Sequence, residues 1–138
     1  MNNEITCIYN KNKDIIELLH NYKIESEWND EYKKIYNEAK KYMKDIYNKY
    51  IDIYINDKKI EFNTKYISNE TGQIKVKFIF HKLLTNISFL FYGCSSLASI
   101  DLSSFNTTNV TNMSIMFSKC SSLKSVDLSS INIQKLLI

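Results

Sequence analysis

Arginine is missing from this sequence, and so is proline. Lysine therefore supplies all of the positive side-chain charge, and the net charge of +3 is too mild to argue for a nucleic-acid partner. Glycine occurs only as Gly72 and Gly93, which leaves no material for a Gly-rich phosphate loop. The cysteines, Cys7, Cys94 and Cys120, are odd in number and form no Cys-x-x-Cys pair. His20 and His81 stand apart from them and from each other. Neither a disulfide framework nor a zinc site is indicated. No apolar run is long enough to cross a bilayer as a helix. The start, Met1-Asn2-Asn3-Glu4-Ile5-Thr6, lacks a basic stretch followed by an apolar one, so no export signal is read there. The expectation for the chain as written is a cytoplasmic protein without metal or cofactor. No nucleophile, base and orienting group fall into a recognisable catalytic pattern, so an enzyme is not expected.

Apolar residues make up 44% of the 138 and charged residues 24%, enough for a core under a solvated surface. The character of the sequence changes near residue 83. Lys, Tyr, Asn and Ile dominate before it; Ser, Leu, Thr and Asn dominate after it. No Gly- or Ser-rich spacer separates the two stretches, so the reading is two adjoining units, 1–82 and 83–138.

The first unit reads as mixed α and β. Residues 4–9 alternate like a half-buried strand, and 15–19 give a second strand or a helical turn. Asn29 or Asp30 can cap a helix through a side-chain oxygen. Tyr32, Ile35, Tyr36, Ala39, Tyr42, Met43, Ile46 and Tyr47 then recur at steps of three and four, one apolar stripe on a helix over 31–49. Lys33, Lys34, Lys40, Lys41 and Lys44 fall mostly off that stripe and read as a solvated face; a phosphate-binding patch would need aromatic or arginine readers beside them. Residues 51–55 and 59–62 flank a polar turn and predict a hairpin. Asn69-Glu70-Thr71-Gly72 is another turn, and 74–80 is the strongest strand pattern in the chain. A helix packed on one face of a small sheet satisfies these apolar faces, and the element order resembles a β-grasp (ubiquitin-like) arrangement.

The second unit repeats itself. Phe91-Tyr-Gly-Cys-Ser-Ser-Leu-Ala-Ser-Ile-Asp-Leu-Ser-Ser104 matches Phe117-Ser-Lys-Cys-Ser-Ser-Leu-Lys-Ser-Val-Asp-Leu-Ser-Ser130 at ten of fourteen positions, offset by 26 residues. A fixed period of this size predicts stacked units. Leu97, Ile100, Leu102 and Phe105 have the spacing of a leucine-rich repeat, and Leu123, Val126 and Leu128 repeat it. Met113, Met116 and Phe117, with Val110, are spaced like the inner face of a short helix. Cys94 and Cys120 fall on equivalent positions. A disulfide between adjacent rungs is geometrically conceivable, but without an export signal two small buried thiols are the favoured reading. Ser99, Asp101 and Ser103 in one copy, and Ser125, Asp127 and Ser129 in the next, should point outward. They form the candidate partner-binding face. Two stacked aspartates there should repel and raise one pKa. Asn69, Asn86, Asn106, Asn109 and Asn112 match the glycosylation acceptor pattern, which matters only in a secretory pathway.

The pattern Met-Ser-x-Met-Phe-x-x-Cys-Ser-Ser-Leu-x-Ser-x-Asp-Leu-Ser-Ser, with the Phe-Asn-Thr-x-Asn-Val-Thr-Asn of 105–112, resembles the 26-residue surface-protein repeat of the BspA-like leucine-rich repeat family. It covers roughly residues 84–132. The resemblance implies a short C-terminal solenoid and binding through the repeat surface. It also implies a surface location, since bacterial relatives are often surface proteins. The chain carries two full units, and the pattern breaks at Ile131-Asn-Ile-Gln-Lys-Leu-Leu-Ile138. The expected fold is thus α+β: an N-terminal helix-on-sheet domain capping a short leucine-rich solenoid. The expected function is a non-enzymatic protein-interaction or scaffolding module, with self-association through the exposed repeat end as a further possibility. The alternatives are a ubiquitin-like adaptor with a vestigial array, or a truncated piece of a longer repeat protein.

Overall fold

A computed structural model describes residues 3–23, 28–68 and 71–131. Its centre is a five-stranded antiparallel sheet. The strands are β1 (Glu4–Lys11), β3 (Ile51–Ile55), β4 (Lys58–Ile60), β6 (Gly72–Phe80) and β7 (Leu97–Asp101), in the order β4-β3-β6-β1-β7. Two short strands, β2 (Ile15–Glu17) and β5 (Lys65–Ile67), form a separate antiparallel pair. The one helix of the described residues is α1 (Asp30–Lys44).

Period-two patterning builds the sheet. Ile5, Cys7 and Tyr9 of β1, Ile74, Val76, Phe78 and Phe80 of β6, and Ile51, Ile53 and Ile55 of β3 all face the core and are buried. Their neighbours, such as Thr6, Lys75, Lys77 and Tyr54, lie on the partly exposed face. Register follows from this alternation, since a slip of one residue would reverse every side chain. Cys7 stands opposite Val76 on one side and Ile100 on the other. Each fully buried aliphatic or aromatic side chain contributes about 1.5–3 kcal/mol. The long central strands β1 and β6 therefore carry much of the fold.

The helix begins as its sequence dictates. The Tyr32 N–H donates to Asn29 Oδ1 at 2.9 Å, which satisfies one free amide of the first turn. Asp30 and Glu31 sit at its start and Lys41 and Lys44 at its end, where their charges complement the free N–H and C=O groups. Tyr36, Ala39 and Met43 are its buried face.

The expected architecture of a helix on a sheet beside a leucine-rich solenoid is overturned. The molecule is mainly antiparallel β. The aromatic contacts of α1 are with the loop that precedes it and with the first repeat copy: Tyr36 meets His20, Trp28 and Phe89 at ring-centroid distances of 6.1, 4.8 and 5.6 Å. The β-grasp order fails because β2 leaves the main sheet to pair with β5, a strand the polar pattern of 63–68 hides. The solenoid fails because β7 runs antiparallel to β1 and is its sheet neighbour. The first copy thus covers its apolar side with the sheet core. Residues 123–127 of the second copy form no strand. Outside the strands, the parallel pairing among the described residues is an isolated bridge between Asn86 and Asn112. The short helix expected from Val110 to Phe117 is also missing, because Ile115 adopts a φ of 61° and a left-handed residue breaks a right-handed helix. β6 does not adjoin β7; β1 lies between them. The sequence end at 132–138 and part of the 69–72 turn lie outside the described residues.

Candidate interaction surface

The two repeat copies lie against each other in register. The N–H groups of Ile87, Phe89, Phe91 and Gly93 donate to the carbonyls of Asn112, Ser114, Met116 and Ser118 at 2.9, 3.2, 3.1 and 2.9 Å. Phe91 and Phe117 stack almost parallel, with centroids 6.0 Å apart. Both copies use the same backbone device. Phe89 and Ile115, one period apart, hold φ of 64° and 61°; Gly93 and Lys119, also one period apart, hold 75° and 61°. Asn and Asp side chains fix the turns between. Asn86, Asp101, Asn106, Asn112 and Asp127 each accept from the N–H two residues on, at 2.9–3.0 Å. The asparagines of the glycosylation-like triplets at 86, 106 and 112 are thus turn-formers here.

All six residues of the candidate face are exposed: Ser99, Asp101, Ser103, Ser125, Asp127 and Ser129. The structure places them as two matched triplets, each led by a serine and closed by an aspartate turn. The Ser103 hydroxyl also donates to Asp101 Oδ1 at 2.6 Å. These bonds decide the electrostatics. The Asp101 carboxyl is held below the usual carboxylate range by the Ser103 hydroxyl and then its N–H, and the repulsion from Asp127 is a lesser opposing effect. Asp127 is lowered by the Ser129 N–H and hydroxyl. The expected upward shift is therefore reversed, because hydrogen bonds to the charged form outweigh the like charge.

Of the repeat-core residues, Cys94, Leu97, Leu102, Phe105, Met113, Met116 and Cys120 are buried. Ile100, Phe117, Leu123, Val126 and Leu128 are partly buried against the same core. Cys94 and Cys120 are free thiols, and the Cys120 thiol donates to the Phe91 carbonyl at 3.0 Å. Burial pushes Cys120 up to about 11 and raises Cys7 and Cys94 further.

Three features were not legible in the spacing. His20 is buried in a ring nest with Tyr22, Trp28, Tyr36, Phe89 and Tyr92. This nest joins the residues before the helix to the first copy. His81 meets Asp52 at 2.8 Å, and this contact lowers the Asp52 carboxyl, with Lys59 adding to it. Finally, a groove of about 650 Å³ is lined by Asn3, Glu4, Ser103, Ser104, Phe105, Asn106 and Thr108. Ser103 is the candidate residue that reaches it. The lysines of α1 lie on its outer side, with Lys34, Lys40, Lys41 and Lys44 exposed. Among the described residues, no group of His, Cys, Asp and Glu could hold a metal ion, and no helix is long and apolar enough to cross a membrane.

A family model described as Mycoplasma protein of unknown function, DUF285, matches residues 58–137. The chain belongs to this family. The match takes in β4, β5, β6 and β7 as well as both repeat copies. No curated protein and no solved structure matches the chain.

Proposed function

We propose that this protein is a non-enzymatic interaction module that binds a protein partner through the surface of residues 84–131. The observation that carries this reading is the duplicated exposed triplet, Ser99-x-Asp101-x-Ser103 and Ser125-x-Asp127-x-Ser129. Each aspartate is held in its turn by the N–H of its own serine, which orients both carboxylates before any partner arrives. Preorganised polar groups bind at a lower entropic cost than mobile ones. The likeness of the 26-residue pattern to BspA-like repeat proteins supports binding as the class of activity. Buried thiols with raised pKa values are poor nucleophiles, which favours binding over thiol chemistry.

The test is photo-crosslinking from positions 99 and 125 of the full chain in its native cells. A discrete partner should appear at both positions, and a Ser99→Arg/Ser125→Arg variant should lose it. Both serines are exposed, so the variant should fold normally. Capture that is indifferent to the double substitution would sink the reading.

A further inference from the structure

A cavity of about 210 Å³ opens between the last turns of α1 and the segment that precedes the helix. Asn21, Tyr22, Lys40, Met43, Lys44 and Tyr47 line it. It shares no lining residue with the groove beside Ser103 or with the serine–aspartate triplets. Its floor is apolar. Tyr22 and Met43 are buried, and the Tyr22 and Tyr47 rings pack with centroids 5.7 Å apart. Both phenol hydroxyls are engaged elsewhere: Tyr22 Oη donates to the Ser88 carbonyl and Tyr47 Oη to the His20 carbonyl, each at 2.8 Å. Their rings are left for an occupant. The backbone at Tyr22 holds a φ of 56°, a left-handed value that a bulky side chain rarely adopts. Strained positions of this kind cluster at ligand sites. The rim, by contrast, consists of donors. Lys40 and Lys44 stand one helical turn apart on one face of α1 and are exposed. Among the described residues neither side chain has an ion pair. Asn21 Oδ1 accepts from the Lys23 N–H at 3.0 Å, which orients the amide and leaves its Nδ2 to donate. No carboxylate is among the lining residues. Spacing alone gave the α1 lysines no aromatic partners; the fold brings Tyr22 and Tyr47 beside two of them.

We propose that this cavity binds a small aromatic carboxylate, with its ring against Tyr22, Met43 and Tyr47 and its carboxylate at Lys40, Lys44 and the Asn21 amide. Size selects a small ligand. Drug-sized molecules fill cavities of about 300–1,000 Å³, so this one suits a single ring with a short acidic arm. The floor selects an aromatic ring, because rings pack edge-to-face or offset on tyrosines and make favourable contacts with a thioether. The rim selects a negative charge, since two ammonium groups and an amide N–H converge there and nothing accepts. An ammonium group on the same ligand would meet only donors and cations, so a simple acid fits and an amino acid does not. The site is independent of the protein-binding reading above and takes a different class of ligand.

Titration of the full chain followed by NMR tests it, with phenylacetate as the probe, phenylacetamide as its neutral counterpart and acetate as the acid without a ring. Phenylacetate should shift the Met43 methyl and the Tyr22 and Tyr47 ring signals saturably, with a Kd on the order of 1 mM. Phenylacetamide should bind about fivefold more weakly, the preference expected of solvent-exposed charges. Acetate should leave Met43 unmoved. A Lys40→Gln/Lys44→Gln variant should fold like the parent chain, because both side chains are exposed, and should bind acid and amide equally. Four results overturn the proposal. They are no saturable shift at Met43, equal binding of acid and amide by the parent chain, a preference for the acid that survives the double substitution, and shifts confined to the signals of Lys33 and Lys34, which would show surface attraction only.

Discussion

Asp101 and Asp127 show how one side chain sets both a turn and a charge. Each bonds the N–H two residues on, and each carboxyl is held below its usual value by that serine. A carboxylate whose folded pKa is depressed adds stability above its unfolded pKa, near 3.9, and loses it as pH falls through the folded value. Carboxyl titration followed by NMR should therefore give midpoints below the ordinary value for both residues. Asp101→Asn should remove its share of the acid dependence and keep the turn, because an amide oxygen can still accept. Both side chains are exposed, so solvent screening keeps the effect on stability small. The aspartates were visible in the sequence as a repeat feature. Their pKa direction was not, because spacing alone shows the like charge one period away and hides the local serine bonds.

At the scale of elements, α1 and β1 separate what pattern can and cannot convey. The helix was legible from its stripe and its cap. Asn29→Ala should cost about 1 kcal/mol, and Asn29→Ser only a few tenths, as read by chemical denaturation followed by far-ultraviolet circular dichroism. The strands at 4–9, 51–55 and 74–80 were legible from alternation, since each buries one face. Their partners were not. Nothing in the repeat pattern says that Leu97–Asp101 prefers β1 to the next copy. That choice is made by long-range packing, where Cys7 and Ile100 stand opposite each other and Glu4 donates to the Ser104 carbonyl at 3.1 Å. The left-handed residues at 115 and 119 were equally hidden. Ile and Lys carry no signal for that conformation, whereas Gly93 at the equivalent position does.

Across the whole molecule, one core cluster runs from Ile5 to Ile131. Trp28 belongs to the first part of the sequence, yet its rings lie against Phe89 and Tyr92 at 5.1 and 5.5 Å. Cys94 belongs to the repeats and is fully buried. Trp28 fluorescence and the thiol reactivity of Cys94 should therefore change together in a single denaturant transition. Two separated midpoints would show instead that the repeats and the first eighty residues unfold independently. The groove beside Ser103 and the first triplet both adjoin β1 and β7, so the sheet fixes their relative position.

The in-register bonds between the copies have an electrical consequence. Every second amide of the first copy, from Ile87 to Gly93, points toward the second copy, and the carbonyls of Ser88 and Leu90 point back toward Tyr22 and His20. Aligned peptide dipoles add, as they do along a helix. The stacked turns therefore carry a partial dipole along the stack without containing a helix, its positive side facing the second copy. That field favours the electron-rich carbonyls of Asn112, Ser114, Met116 and Ser118, which the second copy presents there.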